Sequence, residues 1–192
     1  MKVNHISTHL GFWLMRNFDE QLDELNVGNN KIKITSDVVY EVFGIPKGTK
    51  PIVTIVDKQK VKKDEKIEKN NDPDGGDSIM HQFISQWSDT KTITHGVVAT
   101  TMNKQNEGGS LFKINFLVYW NTIFVEITKA TTVNDKCLLG VDTVEDIPHL
   151  DWCSYLLESL LRIRKGRKNP NIQYVGRVAF LTVCFSILFN YI

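Results

Sequence analysis

Residues 31–52 read KIKITSDVVYEVFGIPKGTKPI, and the pattern passes from strand to helix to turn. Charged and apolar side chains alternate over 31–34, which is typical of a short strand with one buried face. Thr35 or Ser36 can then cap a helix. Gly44 and the proline two residues later end that helix, because neither residue continues a regular helix easily. The stretch therefore predicts a small β element next to a capped helix.

Helical periodicity flanks this stretch on both sides. Apolar residues recur at positions 6, 10, 13, 14 and 18, the spacing of one helical face. Further along, the segment 79–87 has the same spacing over a shorter length, and Thr94 can cap a helix that runs to Met102. With the segments below, these patterns predict a mainly α single domain of about seven helices with a small β element at 31–34.

A long apolar segment, LFKINFLVYWNTIFV, follows Ser110 and reaches Val125. Ser110 can cap it as a helix, and its scarcity of polar side chains predicts that this helix is central and buried. Length favours a helix throughout. The β-branched residues of the second half also allow a strand, so a strand from Thr122 to Thr128 remains an alternative.

Residues 57–77 contain six lysines, seven acidic residues and almost no apolar ones. Such a segment cannot bury enough apolar surface to offset the entropy lost on ordering. The sequence therefore predicts a single helical domain over residues 1–192 with a disordered charged insertion at 57–77.

Composition and charge exclude several classes of protein. The 42% hydrophobic and 23% charged content indicates a globular chain, and the formal net charge of +1 provides no overall attraction to nucleic acid or an anionic membrane. The three cysteines are odd in number and form no CxxC pair, which argues against a disulfide framework and a zinc ribbon. We therefore expect an intracellular protein.

The last segment, from Val178 onward, is almost wholly apolar. A membrane-spanning helix needs about 20 apolar residues, and the run after Arg177 is shorter, so no membrane span is expected. The segment is predicted to be a core helix. If further sequence normally covers this helix, an apolar patch is expected to be exposed in the present chain and to cause self-association. The patch comprises Phe180, Leu181, Phe185, Leu188 and Phe189.

Few residues suggest catalysis or metal binding. Cys153 lies four residues after His149 with Asp151 between them, but the intervening proline and the helix start give poor geometry for a cysteine nucleophile. Cys153 is therefore predicted to be a buried core cysteine. His5 and His9 are spaced for one helical face yet lack a third ligand. We predict no catalytic, cofactor-binding or metal-binding residue.

Two other stretches have some features of a binding site. The stretch GIPKGTK at 44–50 lacks the spacing of a phosphate-binding loop and is interpreted as a helix stop. Asp151 is the expected N-cap of an amphipathic helix that ends in a basic run. This run contacts nucleic acid weakly, or directs nuclear import, or simply complements the helix dipole. Its members are Arg162, Arg164, Lys165, Arg167 and Lys168.

The tryptophans fall on apolar helical faces and are predicted to pack in the core: Trp13, Trp87, Trp120 and Trp152.

Four stretches resemble an uncharacterised plant domain found upstream of the ubiquitin-like (SUMO-type) cysteine protease domain in transposon-derived proteins, and they are similar in layout to the plant mobile (aminotransferase-like) domain: 9–19, 31–52, 112–125 and 151–161. The most specific element is the strand, capped helix and Gly-Ile-Pro-x-Gly stop at 44–48. The Asp-Trp-Cys helix start at 151–153 is the next.

The resemblance implies a non-catalytic binding or scaffold domain of a plant transposon-derived protein, with an unknown protein partner. The alternative that it implies is the N-terminal fragment of a ubiquitin-like-specific cysteine peptidase lacking its catalytic domain. The nucleophile motif of such a peptidase is absent from the sequence. The family's final helix usually opens with a glycine and continues into further sequence, whereas here Gly176-Arg177 leads to an apolar run after which the chain stops. The chain is therefore expected to be C-terminally incomplete.

Overall fold

The computed structural model describes residues 8–19, 21–52, 78–105, 107–126, 131–165 and 178–188. Within these residues it contains seven α-helices and a three-stranded antiparallel sheet. The predicted fold class, mainly α with a small β element, is confirmed. The charged insertion predicted at 57–77 lies outside the described residues and stays a prediction, as does C-terminal incompleteness.

The elements follow one another in this order. The first part of the chain contains α1 (Thr8–Arg16), β1 (Phe18–Asp19), β2 (Glu24–Val27), β3 (Asn30–Lys33) and α2 (Ser36–Phe43). The second part contains α3 (Ile79–Ser85), α4 (His95–Met102), α5 (Ser110–Trp120), a π-helical turn (Asn121–Val125), 3-10 helices at Lys136–Gly140 and Val144–His149, α6 (Trp152–Lys165) and α7 (Val178–Leu188).

The sheet extends beyond the single predicted strand. β2 pairs with β1 and with β3, and Leu25 lies opposite Ile32 in the β2–β3 hairpin. Gly28 takes a φ of 60° in the hairpin turn, a conformation that glycine adopts without steric cost. Buried side chains, including Phe18 of β1 and Leu25 of β2, attach the sheet to the core.

The structure confirms most of the predicted caps. The Thr35 hydroxyl accepts a hydrogen bond from Val38 N at 3.3 Å, and Gly44 ends α2 in the left-handed conformation. Thr94 caps α4 in the same way. The cap predicted at Ser110 is wrong, because α5 begins after Gly109 and has no side-chain cap.

The central helix α5 has two different sides. Its inner side is buried and includes Ile114, Asn115 and Val118. Phe116 is 51% exposed, so the prediction of a buried central helix holds for one side of α5 only. A strand over 122–126 is also excluded, because the chain continues as a π-helical turn. Thr122 holds this turn: its hydroxyl donates to Val118 O at 2.7 Å and accepts from Asn134 N at 2.9 Å.

The final helix α7 is covered by the rest of the fold. It packs against α1 and α2, and the rings of Phe43 and Phe180 stack with their centroids 5.3 Å apart. Phe180 and Leu181 are 0% exposed, so their predicted exposure is wrong. Phe185 is half-buried, while the side chains of residues 188 and 189 lie outside the description. In the described part of the chain, no helix is both long and apolar enough to cross a bilayer.

Candidate binding groove

The loop after α2 lies against the segment that begins α6. Gly48 N donates to Leu150 O at 3.1 Å, Asp151 N donates to Lys50 O at 2.8 Å, and Trp152 N donates to the carbonyl of Pro46 at 3.1 Å. We call residues 45–50 together with 149–153 the clasp. It brings together two segments about 100 residues apart in sequence.

Gly48 determines how closely the two segments of the clasp approach each other. A Cβ atom at this position would lie 1.9 Å from the backbone oxygen of His149, far inside any real contact distance. Only glycine fits without displacing backbone. The interpretation of GIPKGTK as a helix stop explains Gly44 but missed this function of Gly48.

Ion pairs on the outside of the fold flank the clasp. Lys47 pairs with Asp37, and Lys50 Nζ lies 2.8 Å from Asp146 Oδ1. Asp146 also accepts a hydrogen bond from the Thr143 hydroxyl at 2.7 Å. The hydrogen bond from Lys50 is the main cause that lowers the pKa of Asp146, and the reciprocal contact raises the pKa of Lys50.

Cys153 is a structural member of the clasp. Its side chain is fully buried, and its Sγ lies 3.3 Å from Ile45 O, to which the thiol donates a weak hydrogen bond. Burial, and secondarily the charge of Asp151, raises the pKa of Cys153 to about 11. The group is therefore a protonated thiol at neutral pH and not a thiolate. The prediction of a core cysteine is confirmed.

Asp151 performs the capping function that the sequence predicts. Its Oδ1 accepts from Ser154 N at 2.9 Å, and its Oδ2 accepts from the Ser154 hydroxyl at 2.6 Å. Both carboxylate oxygens are thus directed at the first turn of α6. Asp151 lies between His149 and Cys153 in the sequence because this segment begins α6, which Asp151 caps.

An apolar groove opens beside the clasp and encloses about 280 Å³. One wall is α5, the opposite wall is the 3-10 helix Val144–His149, and the clasp forms the third side. The side chains that line it are Phe112, Lys113, Phe116, Leu117 and Trp120 on α5, Val144, Ile147 and Pro148 opposite, and Ile45, Pro46 and Trp152 of the clasp.

Aromatic rings form much of the groove. Phe112 and Phe116 stack with centroids 6.3 Å apart, and Trp120 meets Trp152 edge to face at 5.8 Å. The indole Nε1 of Trp152 donates to Ile147 O at 2.7 Å, so its polar atom is satisfied within the fold. What remains for a ligand is an apolar aromatic surface.

The predicted burial of the tryptophans is correct in part. Trp87 and Trp152 are buried, whereas Trp120 is half-buried in the groove wall. Trp13 is 41% exposed, so its prediction as a core residue is wrong. The i, i+4 spacing of Phe112, Phe116 and Trp120 could have indicated a separate aromatic stripe, but the apolar residues on every side of α5 concealed it.

The other residues considered from the sequence do not join this groove in the described structure. Arg162, Arg164 and Lys165 lie in the last part of α6, and their side chains are outside the description, as are Arg167 and Lys168. The nucleic-acid contact therefore stays a prediction. His9 is exposed on α1, and His5 is not described. Among the described residues, no three or more His, Cys, Asp or Glu side chains are placed to hold a metal ion.

Comparison with known proteins gives one match. A family model with the description Domain of unknown function (DUF8566) matches residues 1–182. No curated protein and no solved structure matches the chain.

Proposed function

Since the chain belongs to the family described as Domain of unknown function (DUF8566), we propose its function from the groove itself. The protein is a non-catalytic binding domain, and the groove beside the clasp takes apolar side chains of a partner protein. In the wider proposal, the domain acts as a scaffold in a plant transposon-derived protein that works inside the cell, with the nucleus as the expected compartment.

The single observation that carries this proposal is the exposure of Phe116. Its ring is 51% exposed although it stands on the helix that forms the centre of the fold. Contiguous exposed apolar surface commonly marks an interaction site, and aromatic residues contribute strongly to binding energy at interfaces. Phe112 stacks on this ring, and Trp120 continues the surface along α5.

The polar chemistry around the groove supports binding rather than reaction. The carboxylate of Asp151 caps α6, that of Asp146 pairs with Lys50, and the thiol of Cys153 donates to a carbonyl. Each group is engaged in holding the clasp together. The groove itself offers apolar surface and shape.

A displayed library of random 12-residue peptides tests the binding function. We expect the purified chain to enrich peptides that carry bulky apolar side chains, and we expect Phe116→Asp to lose them. Trp120 and Trp152 line the groove, so their fluorescence should change when an enriched peptide binds.

The matched control is Ile84→Asp, because Ile84 is 50% exposed but lies on α3 and away from the groove lining. It should retain every enriched peptide. Peptides that bind Phe116→Asp as tightly as the original chain would place the binding surface elsewhere, and a library that yields no enriched peptide would contradict the binding function.

The genomic context tests the wider proposal separately. A ubiquitin-like protease coding region or transposon ends next to this coding sequence would support a transposon-derived origin. An isolated gene without either feature, in several related plants, would count against it.

A further inference from the structure

We propose that the partner segment bound by the groove is acidic: a short peptide stretch in which a bulky apolar side chain is followed or preceded by Asp or Glu. This inference rests on the proposed binding function and names the chemistry of its partner. It comes from the charges at one end of the groove.

Lys113 is the charged side chain that lines the groove, and it is exposed. The neighbouring lysines of the clasp differ from it, because Lys47 pairs with Asp37 and Lys50 pairs with Asp146. No acidic partner of Lys113 occurs among the residues that the structure describes. Its ammonium group is therefore available to a ligand.

The position of Lys113 in α5 adds to this positive charge. It is the fourth residue of the helix, and its backbone N–H bonds to Gly109 O at 3.1 Å. The N-terminal end of a helix carries partial positive charge, so a lysine there is unfavourable unless an anion lies nearby. Gly109 provides no side-chain cap, and the first turn of α5 contains no acidic residue. The exposed Glu107 lies two residues before this cap and outside the groove lining, and an acidic ligand would bring negative charge to Lys113 itself.

The acidic residues on the opposite wall do not neutralise the positive charge of Lys113 and the helix end. Asp146 is paired with Lys50 and hydrogen bonded to Thr143. Glu145 belongs to the same 3-10 helix, but its side chain is not part of the groove lining. The groove is thus apolar toward Trp120 and positively charged at the Phe112 end.

The dimensions of the groove limit the length of the segment. Phe112 and Trp120 are eight residues apart on α5, which corresponds to about 12 Å along the helix axis. A volume of about 280 Å³ is at the lower end of what ligand sites enclose. The groove therefore suits one or two apolar side chains with an acidic residue beside them.

The same peptide library tests the acidic partner when the enriched peptides are compared by their charge. The original chain should enrich apolar peptides with an excess of Asp and Glu, and Lys113→Glu should shift the enriched set toward Lys and Arg. For a single enriched peptide, Lys113→Gln should weaken binding about threefold at low salt. Raising the salt should weaken binding to the original chain more than to Lys113→Gln, because salt screens the lost charge pair.

The control is Lys33→Glu, which makes the same change in net charge on β3, outside the groove. Equal effects of Lys33→Glu and Lys113→Glu would overturn the inference, since they would reflect overall charge. If the enriched peptides require Phe116 but contain no excess of Asp or Glu, the acidic partner would be overturned. The proposed binding of apolar side chains in the groove would stand. An absence of enriched peptides would overturn both proposals, and a dimer in which Phe116 is buried would make a second copy the occupant instead.

Discussion

The clasp and the groove share residues, yet their side chains are in opposite situations. In the clasp, backbone groups are paired, Cys153 bonds to Ile45 O, and Asp151 caps α6. In the groove, apolar rings such as Phe116 face open space, and Lys113 forms no ion pair with any of the described residues. The clasp forms one side of the groove, where Ile45, Pro46 and Trp152 belong to both, whereas Phe116 and Lys113 of α5 belong to the groove alone.

Apolar side chains of the central helix likewise differ in what surrounds them. Ile114 and Phe116 are only two residues apart on α5, but one is fully buried and the other is half in solvent. Substitution in the clasp or on the inner side of α5 should lower the free energy of unfolding. Substitution in the groove should change binding and leave the fold largely intact.

The largest effect is expected from Gly48→Ala in the clasp. The added Cβ would collide with the backbone oxygen of His149, and neither backbone segment can move without losing hydrogen bonds. We expect a loss of about 4 kcal/mol in the free energy of unfolding, measured by urea titration. Gly96→Ala is the control, because Gly96 lies inside α4 and a Cβ there meets nothing closer than the Thr94 hydroxyl oxygen at 4.0 Å, so this change should not lower stability. Equal stability of the two variants would break the comparison at the clasp.

The second prediction compares the two sides of α5. Ile114→Ala removes a fully buried side chain and should lower the free energy of unfolding by about 3 kcal/mol, because it leaves a cavity in the core. Phe116→Ala should lower it by less than about 1 kcal/mol, since half of the ring is already in water. Thermal unfolding followed by circular dichroism measures both. A larger loss for Phe116→Ala would show that its ring stabilises the fold.

A smaller effect is expected when the cap of α6 is removed. Asp151→Ala leaves Ser154 N without its acceptor and should lower the free energy of unfolding by about 1 kcal/mol. Asp89→Ala, an exposed carboxylate in the turn after α3, serves as the control and should be nearly neutral. A neutral Asp151→Ala would mean that the clasp holds the start of α6 without the cap.

The smallest effect concerns pH and the ion pair outside the clasp. The pKa of Asp146 is lowered in the folded state, so its carboxylate stabilises the fold above the unfolded pKa of about 3.9. This stability is lost as the pH falls through the lowered folded pKa. The stability difference between the original chain and Asp146→Asn should therefore be constant near neutral pH and shrink in acid. A difference that grows in acid would contradict the assignment.

Local patterns predicted those parts of the fold that depend on neighbouring residues. The sequence predicts a cap at Thr35 or Ser36, a cap at Thr94 and a stop at Gly44. The structure has Thr35, Thr94 and Gly44 in these positions, because capping and termination act over one helical turn. β2 was missed although Leu25 and Val27 alternate before Gly28, since a hairpin gains its stability only when both strands pair. Ser110 was assigned as a cap in place of Gly109, an error of one residue at a helix boundary.

Local sequence patterns are sufficient to predict the helical class, the caps at Thr94 and Asp151 and the core cysteine Cys153, because periodicity, capping residues and the burial tendency of free cysteine act locally. The open side of α5 and the requirement for glycine at position 48 follow only from how distant segments of the chain pack together. The physical reason is the same in both cases. A side chain such as Phe116 is buried or exposed according to what packs against it from distant segments, and Gly48 is constrained by a carbonyl about 100 residues away in the chain.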